Sequence, residues 1–191
     1  MSRPVNKPLL IIFIAVAGLA ISFELQPPPN EGVSDNPNQK PDHYFTHFNF
    51  YSLSPEGKPA WKMEGKHLYH QPLEEISRFT ETTITHRSPK GAPWVINAPS
   101  GEMPDTQTHL LLPNKVSISR NSSELNKALQ LYTHELYYYP DTRLLTTRHP
   151  VTMTSEEHTT FGNGLVGHLD KEIFEIVADV KATYHASPRG K

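Results

Sequence analysis

The chain contains no cysteine, so neither disulfides nor thiolate metal sites enter its construction. That absence suits the cytosol and the periplasm equally. Net charge is also small, at −2, which leaves no electrostatic footprint for nucleic acid or an anionic surface. Hydrophobic residues make up 36% of the chain, while proline, at 18 residues, is roughly twice as common as usual. A core remains attainable, but from short and often interrupted strands rather than long helices. Catalytic signatures are missing too. There is no Gly-x-Ser-x-Gly elbow, phosphate-binding loop or dinucleotide fingerprint. The neighbouring carboxylates Glu74–Glu75 and Glu156–Glu157 would face opposite ways in strands and read as solvated turn residues. The 11 histidines invite a metal reading, but His67 and His70 would point to opposite faces of a strand. Neither an enzymatic role, a metal site nor a cofactor is therefore expected.

Only one long apolar run is present. Leu9 through Phe23 carries no charge, and Arg3 and Lys7 precede it. With Pro8 and Leu25 it nears the lower limit of about 17 residues for a membrane-spanning helix. Its positive flank would stay cytoplasmic and send the remainder of the chain across the membrane. A cleaved signal peptide is the competing reading, but the small residues Ala15, Ala17 and Ala20 lie inside the run rather than after it. An uncleaved anchor over residues 9–25 is the favoured expectation, with residues 1–8 cytoplasmic. A polar segment with five prolines occupies residues 26–42 and reads as an extended linker.

The folded domain is expected over residues 43–186, with a tail at 187–191. Tyr44 to Leu53 alternates with a period of two, placing Tyr44, Thr46, Phe48, Phe50 and Ser52 on one face and Phe45 and Tyr51 on the other. Ser54-Pro-Glu-Gly57 turns the chain, and Trp61 to Tyr69 returns as the partner of a hairpin. Short strand-like runs continue at Ile76–Thr85, Trp94–Ala98, Thr108–Pro113, Val116–Arg120, Leu129–Tyr139, Arg143–Thr147, Val151–Thr154, Thr159–His168, Ile173–Val177 and Lys181–His185. Signals at Pro89-Lys-Gly91, Pro99-Ser-Gly101, Pro140-Asp141, Asn163-Gly164 and Asp170-Lys171 mark turns or bends. Together they indicate an all-β sandwich, barrel or solenoid.

A repeat runs through this pattern. Leu110 precedes Val116 by six residues, Leu145 precedes Val151 by six, and Phe174 precedes Val180 by six. Leu136 lies fifteen residues before Val151, and Leu165 fifteen before Val180. Repeated supersecondary units of this kind bury a continuous core together. Pro113 and Pro150 interrupt two copies, so bulges are expected there, whereas the third copy reads as unbroken. Apolar faces opposed in a folded sheet make a trough, and its uncapped edge strands would offer a strand-on-strand docking site.

Ser54-Pro-Glu-Gly57, Arg78-Phe-Thr80, Gly91-Ala-Pro-Trp94, Leu110–Val116, Leu131-Tyr-Thr-His-Glu-Leu136-Tyr and Val180-Lys-Ala-Thr-Tyr184 occur in an order and spacing that resembles the LptC family. That family comprises membrane-anchored periplasmic components of lipopolysaccharide export in Gram-negative bacteria. The acidic Ser155-Glu-Glu-His158 departs from the pattern. The resemblance implies a β-jelly roll (OstA-like) on a single inner-membrane span. It also implies that lipopolysaccharide is received from the LptF/LptG transporter with its LptB ATPase and passed to the periplasmic bridge protein LptA. On that basis Phe48, Phe50, Phe79, Ile84, Leu110, Leu112, Val116, Leu136, Val151, Phe161, Leu165, Phe174, Ile176 and Val180 are expected to line a lipid groove. Ile173, Glu175, Val177, Asp179, Lys181 and Tyr184 are expected at the docking edge, with edge-mediated self-association as a further outcome. A bitopic envelope scaffold that binds no lipid is the alternative reading, and an anchored hydrolase the third.

Overall fold

The computed structural model describes residues 40–54, 57, 59–88 and 91–185. The expected membrane segment, nearly all of the linker and the C-terminal tail lie outside them. The described residues form nine strands: β1 (His43–Leu53), β2 (Pro59–Gln71), β3 (Ile76–His86), β4 (Trp94–Pro104), β5 (Leu110–Arg120), β6 (Leu129–Tyr139), β7 (Leu144–Ser155), β8 (His158–His168) and β9 (Ile173–Tyr184). Each strand pairs antiparallel with its sequence neighbours in a single sheet ordered β1 to β9. No helix occurs among the described residues. The segment before β6 is a connection leading into the strand.

One apolar face of such a sheet must be buried, and the sheet buries it against itself. Neighbouring strands lie about 4.8 Å apart, so β4 and β9 would be about 24 Å apart in a flat sheet. Yet the rings of Trp94 in β4 and Phe174 in β9 have centroids 5.0 Å apart. Likewise the Tyr138 hydroxyl of β6 is 3.2 Å from His86 Nδ1 of β3. Trp94 and His86 stand beside the β3–β4 turn, here the upper end; Phe174 and Tyr138 stand at the lower end. The upper halves of β3 and β4 therefore cover the lower halves of β9 and β6. The two apposed layers of a jelly roll arise by folding one meander, without Greek-key crossovers.

The fold line crosses every strand near its middle. Residues directly opposite in register share a face, so the buried positions can be traced from strand to strand. Two residues separate the inward positions flanking the crease in β3 (Phe79, Thr82), β4 (Ala98, Gly101), β6 (Thr133, Leu136) and β8 (Gly162, Leu165). Three separate them in β5 (Leu112, Val116), β7 (Thr147, Val151) and β9 (Ile176, Val180). That additional residue is a bulge, and the register shifts in every pairing from β4–β5 to β8–β9. The β2–β3 and β3–β4 pairings keep one register. At the crease His47, Glu81, Glu135 and Asp179 adopt φ of 50, 49, 45 and 53°, Pro99 and Pro113 occupy positions where the ladder is interrupted, and Pro150, paired with Asn163, borders the register shift between β7 and β8.

This crease is the physical origin of the sequence repeat. Each six-residue interval joins an inward residue two positions below the gap to the first one above it. Each fifteen-residue interval joins the first inward position below the crease to the first above it in the next strand. Gly101 and Val116 stand in the same relation, with glycine in place of leucine. The third copy is also interrupted, at Asp179, because a left-handed residue breaks a strand without any proline. The paired runs at Thr108–Pro113 and Val116–Arg120, at Arg143–Thr147 and Val151–Thr154, and at Ile173–Val177 and Lys181–His185 are the two halves of β5, β7 and β9. Pro99-Ser-Gly101 and Asn163-Gly164 mark bends within β4 and β8.

The core extends from Trp61 to Leu169, and its largest fully buried side chains are Trp94, Tyr138 and Phe79. One corner is closed by a polar clasp. Arg120, 9% exposed, lies 2.9 Å from a Glu172 carboxylate oxygen, and its guanidinium stacks 4.7 Å from the Trp94 ring. Arg120 also donates to the Lys127 carbonyl at 3.1 Å, and Asn126 donates to Glu172 at 2.7 Å. Arg120 Nη1 meets Glu172 as a charge contact rather than an aligned hydrogen bond.

Candidate functional site

The inner face is buried in its middle and open along both edges. Phe79, Ile84, Leu110, Leu112, Val116, Leu136 and Leu165 are fully buried, and Val151 is nearly so. In this closed arrangement they form a packed core. Phe48, Phe174 and Ile176 are half-buried against that core. At the edges the same face emerges. Phe50 of β1 lies opposite the fully buried Met63 and is 41% exposed. Val180 of β9 continues the inner row of Phe174 and Ile176 and is 56% exposed. Tyr184, expected on the docking edge, ends that row at 81% exposure beside His158.

Four residues fall on faces other than expected: Tyr44 and Thr46 turn outward, Phe45 turns inward and Phe161 turns outward. Phe45 lies opposite Leu68, which lies opposite the buried Phe79, so Phe45 faces inward with Phe48 and Phe50. The left-handed backbone at His47 switches the alternation between them. Phe161 faces outward, opposite Thr152 and Lys181, while its neighbour Gly162 lies opposite the buried Val151. Only two residues separate the inward positions in β8 at the crease, so the even positions above it face inward and Phe161 does not.

The two edge strands each pair on one side alone. On the outward side of β9, Ile173, Glu175, Val177, Asp179 and Lys181 are all exposed or nearly so, with Val177 at 62%. Asp179 accepts a 2.8 Å hydrogen bond from Asn163, which anchors the crease of β9 to β8. On β1 the outward Tyr44 hydroxyl meets His67 Nδ1 at 2.6 Å. An exposed sheet edge flanked by uncovered apolar side chains is a template for strand addition.

Charge at the lower end of the β1 edge is concentrated on His70. Its Nδ1 lies 2.6 Å from an Asp42 oxygen and its Nε2 lies 3.0 Å from an Asp105 oxygen. The hydrogen bond to Asp42, together with the negative charges of both carboxylates, raises the His70 pKa above its ordinary value, against partial desolvation. Sequence spacing hid this cluster, because His43 and His70 become neighbours only through the pairing of β1 with β2.

The model of a family described as lipopolysaccharide-assembly, LptC-related, matches residues 9–185, nearly the whole chain. The chain belongs to the LptC family. LptC-family membership makes it a component of the lipopolysaccharide transport system, with a periplasmic domain. No curated protein matches in sequence. Among solved structures, the chain is similar to LptH of Pseudomonas aeruginosa, described as the LptA homologous periplasmic component of the lipopolysaccharide transport device. That likeness has a TM-score of 0.49 at 7% identity and covers 67% of this chain and 95% of the other.

Proposed function

We propose that this LptC-family domain holds the acyl chains of lipopolysaccharide against its inner face and passes them from the β1 edge toward the β9 edge. The observation that carries this reading is the emergence of one continuous apolar face at both ends of the sheet, at Phe45 and Phe50 on one side and Val180 and Tyr184 on the other. Burying a methylene contributes about 0.8 kcal/mol, so about ten of them from one chain would gain about 8 kcal/mol before costs. A lipid held that strongly needs an energy source and a next groove in contact with this one. The inner-membrane transporter subunits LptF and LptG with the LptB ATPase fit the first role, and the bridge protein LptA, pairing on β9, fits the second. Residues 9–25 would anchor the chain in the inner membrane as a single span. Because the middle of the trough is fully buried, acyl chains would part the two layers on entry, and the clasp of Arg120 and Glu172 would be the contact that yields.

Lipopolysaccharide co-purifying with the detergent-solubilised full chain tests the reading. Phe50→Glu and Val180→Glu, which place charge on the inner face, should reduce the bound lipid. Tyr51→Glu and Phe161→Glu, on the outer face, should leave it unchanged. Equal effects from both pairs would contradict an inner-face site and favour a scaffold without lipid.

A further inference from the structure

The foot of the β1–β2 hairpin carries a ligand set that lipid transfer does not use. His43 and His70 are directly opposite in register, a relation that brings the Cβ atoms of two strand residues to about 4.5–5.5 Å. Asp42 stands between them, with one oxygen 3.0 Å from His43 Nδ1 and 2.6 Å from His70 Nδ1. One ligand atom from each of the three lies within 4.8 Å of the others. Tetrahedral zinc, with bonds of about 2.0–2.1 Å to nitrogen and oxygen, places its ligand atoms about 3.3 Å apart. Small side-chain adjustments reach that spacing.

A second observation points the same way. Both oxygens of Asp105 approach the other ring nitrogen of His70, at 3.0 and 3.2 Å. A carboxylate there holds the Nε2 proton, so that Nδ1, on giving up the proton it shares with Asp42, can turn its lone pair to a cation held with Asp42 and His43. This is the carboxylate–histidine–metal arrangement that orients ligating imidazoles in metal sites. Asp105 is itself fixed, because its backbone amide donates to the Glu75 carbonyl at 2.9 Å. The Asp42 amide donates to the His70 carbonyl at 3.3 Å, which holds the first ligand at the strand end.

We propose that Asp42, His43 and His70 bind a divalent cation of the zinc type, with a fourth position open to water and with Asp105 as the residue positioning His70. The cation would tie the start of the edge strand β1 to β2 and, through Asp105, to the β4–β5 turn. It would fasten the edge beside Phe45, two residues along.

Zinc titrated by calorimetry into the chelator-treated full chain in detergent tests this, slightly above neutral pH. One tight equivalent is expected, and His43→Ala should abolish it. The His43 side chain is 65% exposed, so this variant keeps its fold, which far-ultraviolet circular dichroism checks. His43→Cys should retain binding and shift the visible spectrum of the cobalt-substituted protein toward thiolate ligation. Asp105→Asn should weaken zinc about 10–100-fold, the usual loss when an orienting partner is removed. An absence of saturable binding would overturn the site and leave His70 as a protonated bridge between two carboxylates. Undiminished binding in the His43→Ala, His70→Ala double variant would also overturn it, assigning the zinc to other surface histidines. Unchanged affinity in Asp105→Asn would overturn the positioning role.

Discussion

Gly101 of β4 and Phe79 of β3 face each other so closely that a methyl group at position 101 would stand 2.2 Å from the Phe79 ring and 2.8 Å from Leu112. Phe79 and Leu112 are both fully buried, so neither has room to yield. Gly101 is also the first inward position below the crease in β4, where Leu136 and Leu165 stand in later strands. Gly101→Ala is therefore expected to destabilise the full chain by about 1–3 kcal/mol through overpacking. Urea unfolding in detergent measures this. An unchanged midpoint would mean that the ring is not held where the fold places it.

The seam between the layers predicts a coupling across the sheet. Trp94 is fully buried, and Trp94→Ala should cost about 3–5 kcal/mol. Combined with Phe174→Ala in a double-mutant cycle, it should show an interaction of about 0.5–1.5 kcal/mol, the usual value for an aromatic pair. Strict additivity would contradict the apposition of β4 and β9.

His47 sits at the crease with φ of 50° and an exposed side chain. Left-handed backbone costs most residues roughly 1–2 kcal/mol, and glycine escapes that cost. His47→Gly should be neutral or stabilising by up to about 1 kcal/mol, whereas the β-branched His47→Val should destabilise. Thermal unfolding of the two variants gives the sign. The same logic bears on Asp179, where φ is 53°. Proline there is incompatible with the backbone, so Asp179→Pro would distort β9 itself as well as its unpaired edge.

Those crease residues also show where sequence reading stops. Alternation and turn chemistry locate the strands, and the six-residue intervals mark the inner face of β5, β7 and β9, because apolar periodicity and proline are local signals. The same signals leave Phe45 and Phe161 on the wrong faces. Each depends on how many residues a strand spends at the fold line, and His47 announces its left-handed turn by neither glycine nor proline. The pairing of His43 with His70, and of Trp94 with Phe174, depends on register and on folding of the whole sheet. Local spacing carries neither.

His86 supplies a pH dependence. It is 2% exposed, and burial, aided by the positive charge of Arg143, pushes its pKa down to about 4. In the unfolded chain the pKa returns to about 6.5. The unfolded state then binds more protons between those values, so stability is full above pH about 6.5 and falls as pH drops toward 4. The loss attributable to His86 is on the order of 3 kcal/mol. Replacement by Gln should flatten this part of the stability profile between pH 6.5 and 4. A slope in the Gln variant equal to that of the parent would assign the effect to other groups.

Whether the inner face carries lipid can be read by site-specific photo-crosslinking in intact cells. Photoreactive residues at Phe50 and Val180 probe the inner face at the two edges, and residues at Tyr51 and Lys181 probe the outer face one position along the same strands. Lipopolysaccharide adducts are expected at Phe50 and Val180 and none at Tyr51 or Lys181. Silence at both inner positions, or equal labelling of the two faces, would contradict an inner face that carries lipid.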